Sequence, residues 1–168
     1  MMNTSIEKLL NDQIKVEAEA SMQYLAMACW ADDKGFAGVA EFFYQQSEEE
    51  REHMIKLVKF VGERGGTVNV PALDKPKGSF KSLNELFETF LNSEKYTTEQ
   101  INHIIYECLQ HKDYNVHNFM QWYVTEQLEE EATARTLLDK LTIIGNDKSG
   151  HYMFDRDIIG IAKTTDSQ

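Results

Sequence analysis

The sequence has few residues that make turns, with only two prolines and nine glycines among 168 residues. An all-β sandwich needs a turn signal about every 8–12 residues, so this scarcity argues against that class and predicts few, long elements. The chain also has no apolar run near the roughly 18 residues that a membrane-spanning helix needs. After the first ten residues (MMNTSIEKLL), charge occurs again at Asp12 and Lys15, too early for the apolar region of a signal peptide. We therefore predict a cytoplasmic protein without a membrane partner.

Basic residues and cysteines are also scarce. Lysine and arginine number 17 against 28 aspartates and glutamates, which gives a formal net charge of -11. An acidic chain repels the phosphates of nucleic acids and attracts cations, so cations and not nucleic acid are the predicted partners. The two cysteines, Cys29 and Cys108, form no CxxC pair and stand among apolar neighbours. They predict buried, reduced thiols, as in a cytosolic protein.

What the sequence does have is helical periodicity. Apolar residues recur every three or four positions in four long stretches and one short one, and no stretch alternates with period two. This pattern predicts an all-α protein with one domain over residues 1–168. The expected helices cover about 5–33, 36–64, 82–110, 113–143 and, as a short C-terminal helix, 151–161.

The connections between these helices predict the topology. Short turns near Gly35 and near residues 111–113 join the helices into two antiparallel hairpins. The segment 65–79 contains both prolines and no helical pattern. About fifteen extended residues reach about 50 Å, whereas a helix of about 29 residues is about 43 Å long. The segment can therefore run the length of a bundle, which predicts a four-helix bundle with one long crossover.

Each long helix carries polar residues on its otherwise apolar stripe. These residues are Glu17, Glu50, His53, Glu94, Gln127 and Glu130. Burying an ionised carboxylate without compensation costs several kcal/mol, so any one of them alone is best read as a solvated side chain at the stripe edge. Together they form a repeat, because the pairs 17/94, 50/127 and 53/130 are all separated by 77 positions. Two related hairpins packed face to face would bring all six side chains to one pseudo-twofold site.

The composition of this predicted site favours metal ions. Carboxylates with one imidazole suit hard or borderline divalent cations, and four glutamates balance the charge of two such ions. The segment 50–53 (EREH) is a Glu-x-x-His motif of the kind that di-iron carboxylate bundles carry on two of their helices. The equivalent pair in the second hairpin, Gln127 and Glu130, departs from that motif at both positions.

Longer segments match a known family. They are Glu48–His53 (EEEREH), Asn118–Glu131 (NFMQWYVTEQLEEE), Glu17 followed seven residues later by Tyr24, and Glu94 within NSEKY. With these segments and the short C-terminal helix, the chain resembles the bacterial non-haem ferritins over nearly its whole length. The resemblance implies a ferritin-like fold and a ferroxidase that oxidises Fe(II) with O2 or H2O2 at a dinuclear centre. It also implies that the Fe(III) product is stored as mineral inside a homo-oligomeric shell of twenty-four subunits.

The resemblance further implies which residues bind the two ions of that centre. One ion would bind to Glu17, Glu50 and His53, and the other to Glu50, Glu94 and Glu130, with Gln127 nearby. Glu50 would bridge the two ions. Tyr24 would lie close to the metals, where it could hydrogen-bond a ligand or donate an electron. Gln127 could act either as a ligand or as a hydrogen-bond partner.

A third iron site is also implied, matched here by Glu49, Glu126 and Glu129 with Glu130. Glu49, Glu126 and Glu129 are each offset by one residue from a member of the dinuclear set. An offset of one residue turns a side chain by about 100° around a helix, so these residues cannot easily bind the same two ions. The alternative is that they are exposed glutamates on a charged helix face.

Particular positions disfavour a haem protein. A bacterioferritin would carry a second Glu-x-x-His motif and a haem-ligating methionine near the first one. Here position 130 is a glutamate, Glu52 stands just before His53, and Met54 is expected to pack in the core. Two rival functions stay open. One is a peroxidase-like di-iron oxidoreductase that retains its metals, and the other is an acidic bundle that binds cations incidentally.

Overall fold

Five α-helices make up the regular structure of the computed structural model, which describes residues 2–165. Their bounds are α1 Thr4–Asp33, α2 Ala37–Glu63, α3 Leu83–His111, α4 Tyr114–Ile144 and α5 Lys148–Thr165. No strand occurs within residues 2–165, which confirms the predicted all-α class. None of the helices in this part of the chain has the length and apolarity needed to cross a membrane.

Local capping determines where the helices begin. Ser82 accepts a hydrogen bond from the Glu85 N–H, and Asp113 accepts one from the Val116 N–H, so α3 and α4 start at side-chain caps. Gly35 takes a φ of 82° in the turn between α1 and α2, a conformation that glycine adopts at little steric cost. The two short turns produce the hairpins, in which α1 packs against α2 and α3 packs against α4.

The segment between α2 and α3 runs along α1. The Thr67 N–H donates to Glu7 Oε1 and the Lys77 N–H donates to Gln23 Oε1, each at 3.0 Å. Glu7 and Gln23 lie more than four turns apart on α1, which is about 24 Å along the helix axis. The crossover therefore returns the chain to the end of the bundle where α1 finishes, as predicted, and α2 and α3 run in the same direction.

The bundle core consists of two apolar clusters, one aromatic and one mainly aliphatic. The fully buried rings of the aromatic cluster are Tyr24, Phe42, Phe43, Phe87 and Phe90. On each of the four long helices, buried polar residues separate the positions of one cluster from those of the other. We call these residues the polar belt. They are Glu17 on α1, Gln46, Ser47, Glu50 and His53 on α2, Glu94 and Thr97 on α3, and Gln127 with Glu130 on α4.

Helix α5 packs against α2 and α4 at the end of the bundle that holds the aromatic cluster. Gly38 allows this contact, because a Cβ atom there would lie only 1.8 Å from the Asp155 carbonyl oxygen. Asp155 Oδ1 also accepts a hydrogen bond from the Val39 N–H at 2.9 Å. The sequence pattern predicts that this helix starts after Gly150, but the observed helix includes Gly150. The earlier start is explained by a side-chain cap, since Asp147 Oδ2 accepts a hydrogen bond from the Gly150 N–H at 2.6 Å.

The prediction of two buried cysteines is wrong for Cys29. Cys108 is buried in the aliphatic cluster, and burial raises the pKa of its thiol to about 11. Cys29 is exposed, although its neighbour Ala28 is fully buried. Adjacent residues of a helix point about 100° apart, so apolar neighbours in the sequence do not by themselves place a side chain in the core.

Candidate metal centre

The six polar residues of the predicted stripes are all buried, with exposed fractions between 1% and 8%. They are Glu17, Glu50, His53, Glu94, Gln127 and Glu130. Each of the four long helices contributes at least one of them to the polar belt. Buried carboxylates are costly unless they are paired or bind a cation. The bundle therefore contains a polar site where packing alone would favour apolar side chains.

Three of these residues form a compact group with the donor set of a metal site. In Glu17, Glu50 and His53, one ligand atom of each residue lies within 4.8 Å of the other two. His53 Nδ1 lies 3.2 Å from Glu50 Oε2. Gln13, buried one turn before Glu17, donates from Nε2 to Glu17 Oε1 at 2.8 Å, and Glu17 Oε2 accepts no hydrogen bond from the described residues. Two carboxylates and an imidazole suit Fe(II) and similar divalent ions.

Glu94 is held by two donors from different helices. The Tyr24 hydroxyl donates to Glu94 Oε1, and Gln127 Nε2 donates to Glu94 Oε2 at 3.1 Å. Gln127 Nε2 also lies 3.1 Å from the Glu94 backbone oxygen. In this structure Gln127 is therefore a hydrogen-bond partner of Glu94. Among the residues that the structure describes, neither Glu94 nor Glu130 belongs to the compact three-residue group.

The buried carboxyl groups raise one another's pKa values. Burial is the largest cause at Glu17, Glu50 and Glu130. The charge of Glu50 adds to it at Glu17, and the charge of Glu94 adds to it at Glu50 and Glu130. Burial also raises the pKa of Glu94 to about 7, although the hydrogen bonds that it accepts lower it. Divalent cations bound here would compensate both the burial and the mutual repulsion.

A cavity of about 620 Å³ lies beside the polar belt, and we call it the acidic cavity. The glutamates that line it are Glu49, Glu52, Glu126, Glu129 and Glu130. Because Glu130 also belongs to the polar belt, the cavity adjoins the six buried residues. His53 and Ile161 of α5 line it as well. The structure thus places the four glutamates of the predicted third site around one space, together with Glu52, which lies outside the predicted set.

Two aromatic side chains, Trp122 and Tyr123, pack against the His53 ring. The Trp122 ring lies edge-on to the His53 ring with the centroids 5.1 Å apart. The Tyr123 hydroxyl donates to the His53 backbone oxygen at 2.7 Å. Lys56 Nζ lies 3.6 Å from the centroid of the Trp122 ring, and both residues line the acidic cavity. These contacts hold the segment of α2 that carries His53.

Two buried amides that touch predicted ligands lie outside the predicted set of site residues. Gln13 donates to the compact group, and Gln46 donates from Nε2 to Glu49 Oε2 at 2.9 Å. The 77-residue repeat could not identify them, because the equivalent positions hold Phe90 and Tyr123. The sequence feature that could have identified both residues is an amide on an apolar stripe, three or four residues from a predicted ligand.

A four-helix bundle with one crossover and with carboxylates and a histidine in its core defines the ferritin-like class of protein. The profile of the ferritin family, described as a ferritin-like domain, matches residues 7–144 of this sequence. This match covers more than half of the chain. The chain belongs to the ferritin family.

Relatives match over nearly the full chain. A probable bacterial non-heme ferritin-like protein of Haemophilus influenzae is 40% identical over 158 residues, which cover 94% of this chain and 96% of that protein. A bacterial non-heme ferritin of Campylobacter jejuni is 38% identical over 162 residues, which cover 96% and 97%. A solved open pore ferritin of Archaeoglobus fulgidus is 34% identical with a TM-score of 0.93, covering 95% and 98%. These similarities confirm the resemblance to the non-haem ferritins and the ferritin-like fold.

Proposed function

We propose that this protein stores iron by oxidising Fe(II) with O2 and depositing the Fe(III) product inside a hollow oligomeric shell. The observation that carries the proposal is the compact group of Glu17, Glu50 and His53 in the core of a ferritin-like bundle. Two carboxylates and an imidazole destabilise a core that holds no cation. The relatives named as non-heme ferritins support the same function.

Iron is the substrate of this centre. The first Fe(II) binds to Glu17, Glu50 and His53, and the second binds to Glu94, Glu130 and the bridging Glu50. Four glutamates neutralise two divalent ions, and hard oxygen ligands favour Fe(III) over Fe(II), which eases oxidation. Each Fe(II) gives up one electron, and O2 takes up two electrons and two protons to form H2O2, or four of each to form water. H2O2 can replace O2 as the oxidant.

The two half-sites are not equivalent, and this difference favours release of the oxidised iron. His53 in the first half-site corresponds to Glu130 in the second, and Glu50 corresponds to the neutral Gln127. Gln127 Nε2 donates to Glu94 Oε2, so the amide holds a ligand of the ion. Because the neutral Gln127 stands where a second bridging carboxylate would be, only Glu50 bridges the two ions, and the second ion is held less tightly. Iron then leaves as product and is not retained as a permanent cofactor.

The acidic cavity provides a third iron site next to the dinuclear centre. Glu49 on α2 and Glu126, Glu129 and Glu130 on α4 line this cavity. Glu126 and Glu129 are three residues apart on α4, so their side chains lie on the same face of the helix. Carboxylate oxygens and water molecules suit iron ions. Glu130 connects the cavity to the second iron of the dinuclear centre.

Storage requires an enclosed space, which a single bundle does not provide. We expect a closed shell of about twenty-four copies, the number that the resemblance to the bacterial non-haem ferritins implies, since closed symmetric assembly lets copies of one chain enclose a space. Large apolar side chains that stay exposed on the isolated chain support extensive contacts between copies. They include Leu128, Ile143 and Tyr152.

The test is the aerobic addition of Fe(II) to the apoprotein. We expect rapid O2 consumption, a particle of about twenty-four chains by light scattering, and bound iron far above three ions per chain. Saturation near two ions per chain would indicate a di-iron oxidoreductase that retains its metals. Slow O2 consumption, no faster than in buffer, would indicate an acidic bundle that binds cations incidentally. A haem absorption band in the purified protein would contradict the proposal that it binds no haem.

A further inference from the structure

Gln46 is a buried amide whose oxygen accepts no hydrogen bond from the described residues. The residue is 5% exposed and lines the acidic cavity. Its Nε2 donates to Glu49 Oε2 at 2.9 Å. A buried acceptor without a partner destabilises the folded protein. Leucine or methionine would fill a similar volume without that cost, so the packing of the bundle does not explain an amide at this position.

Glu49 is the residue on which the Gln46 amide acts. Of the four glutamates in the third site proposed above, Glu49 alone comes from α2. Its side chain is partly exposed, and holding a glutamate side chain in one rotamer costs conformational entropy. Gln46 lies three residues earlier on the same face of the helix. Its hydrogen bond therefore restricts Glu49 before an ion arrives.

We propose that Gln46 is a positioning residue of the third iron site and that it acts through Glu49. This inference rests on the third site of the proposed function. The Nε2 donor holds the Glu49 carboxylate at the wall of the acidic cavity, and the free Oε1 is available to accept a hydrogen from a water molecule on the bound ion. Partners that orient a metal ligand in this way typically change metal affinity by about 10–100-fold when they are removed.

Tb³⁺ is a suitable probe of this site. It is a hard ion that prefers oxygen ligands, and a nearby indole ring sensitises its luminescence. Trp122 lines the acidic cavity together with Gln46. An ion at the dinuclear centre would also lie near Trp122. The signal of the third site is therefore defined as the emission that is lost in the Glu126→Ala/Glu129→Ala double variant.

Gln46→Leu and Gln46→Met should each weaken Tb³⁺ binding at this site about tenfold. Neither variant should lower the melting temperature, because each removes a buried acceptor without a partner. Gln45→Leu is the matched control, since the Gln45 amide donates to Glu41 Oε1 at 3.0 Å on the exposed side of α2. In a Glu49→Ala background, Gln46→Leu should cause no further loss of affinity, because the two residues act as one unit.

Wild-type Tb³⁺ affinity in both Gln46 variants would overturn the inference. Losses that simply add in the Gln46→Leu/Glu49→Ala double variant would also overturn it, since Gln46 would then not act through Glu49. These results leave the third site itself intact. If the Glu126→Ala/Glu129→Ala variant loses no emission, the third site is absent, and the failure belongs to the proposed function.

Discussion

Tyr24 on α1 donates a hydrogen bond to Glu94 Oε1 on α3, so a phenol and a carboxylate 70 residues apart meet at the polar belt. Tyr24 is fully buried, and its ring packs edge-on against Phe90 with the centroids 5.1 Å apart. Burial, followed by the charges of Glu94 and Glu50, raises the pKa of Tyr24 well above its ordinary value. The phenol therefore keeps its proton at neutral pH and remains a donor. The bond joins two helices that belong to different hairpins.

Tyr24→Phe keeps the ring and removes only the donor. We expect Zn²⁺, a divalent ion that is not oxidised, to bind the centre about tenfold more weakly, because a hydrogen bond to a charged acceptor contributes about 1.5–3 kcal/mol. Calorimetric titration of the apoprotein measures the affinity. Tyr106→Phe, at an exposed position of α3, is the control. Equal Zn²⁺ affinity in wild type and Tyr24→Phe would show that Tyr24 does not prepare Glu94 for a metal.

His53→Ala should slow the rapid oxidation of Fe(II) at least about tenfold. Removing a residue that only orients a metal ligand typically costs about 10–100-fold, and His53 is itself a proposed ligand. His53 is the one nitrogen donor in the compact group. Stopped-flow absorbance measures the rate, and circular dichroism with light scattering checks that fold and assembly are intact. His103→Ala, at an exposed position of α3, is the matched control. An oxidation rate equal to wild type would remove His53 from the ligand set.

The apoprotein should become less stable as the pH rises toward neutrality. Glu94 has a pKa of about 7 in the fold, against the ordinary value of 4.5. Between these values the unfolded chain has released a proton that the folded chain keeps, so the free energy of unfolding falls as the pH rises. The raised pKa values of Glu17, Glu50 and Glu130 act in the same direction. Glu94→Gln should reduce this loss of stability by up to about 3 kcal/mol.

Urea unfolding of the apoprotein between about pH 5 and pH 7 measures this effect. Glu88→Gln, at an exposed position of the same helix, controls for the change of net charge. Zn²⁺ should reverse the trend, because it binds the deprotonated carboxylates and so stabilises the fold more at higher pH. The same pH slope in Glu94→Gln and wild type would show that Glu94 is ionised in the folded apoprotein throughout this range.

Glu49→Ala combined with Glu126→Ala separates the third site from the dinuclear centre. The first rapid oxidation should survive, since neither residue belongs to the compact group. The number of Fe(II) ions oxidised per O2 should fall toward two, which is what a dinuclear centre supplies when O2 is reduced to H2O2. An oxygen electrode measures this ratio, with the exposed Glu48→Ala as control. Unchanged stoichiometry and later turnover would assign Glu49 and Glu126 to a solvated helix face.

The fold follows from local signals that the sequence displays clearly. Apolar periodicity predicts the long helices, and the proline-containing segment 65–79 predicts a crossover, which the bond from Lys77 to Gln23 on α1 bears out. Finer features depend on information that periodicity does not contain. Cys29 is exposed because of the face of α1 on which it lies, and the start of α5 depends on the Asp147 side chain as a cap.

The candidate site was predictable where it repeats and unpredictable where it does not. The 77-residue repeat identifies six polar residues, and all six are buried. Their partners depend on how helices from different hairpins pack, which no spacing within one helix determines. The donation from Gln127 to Glu94 is one such contact. Gln13 and Gln46 each contact a glutamate of their own helix, but the equivalent positions of the other hairpin hold no amide, so symmetry gave no reason to select them.

The polar belt divides the interior of the bundle into two halves, each built from parts of all four long helices. Apolar packing is therefore interrupted at mid-height, where the continuous helices join the two halves and the hydrogen bond from Tyr24 to Glu94 ties the aromatic half to the belt. Ions bound at the polar belt would add metal–ligand bonds between helices at this level of the bundle. Bound iron would then hold the two halves of the bundle together, so that filling the centre stabilises the four-helix bundle and emptying it destabilises the bundle.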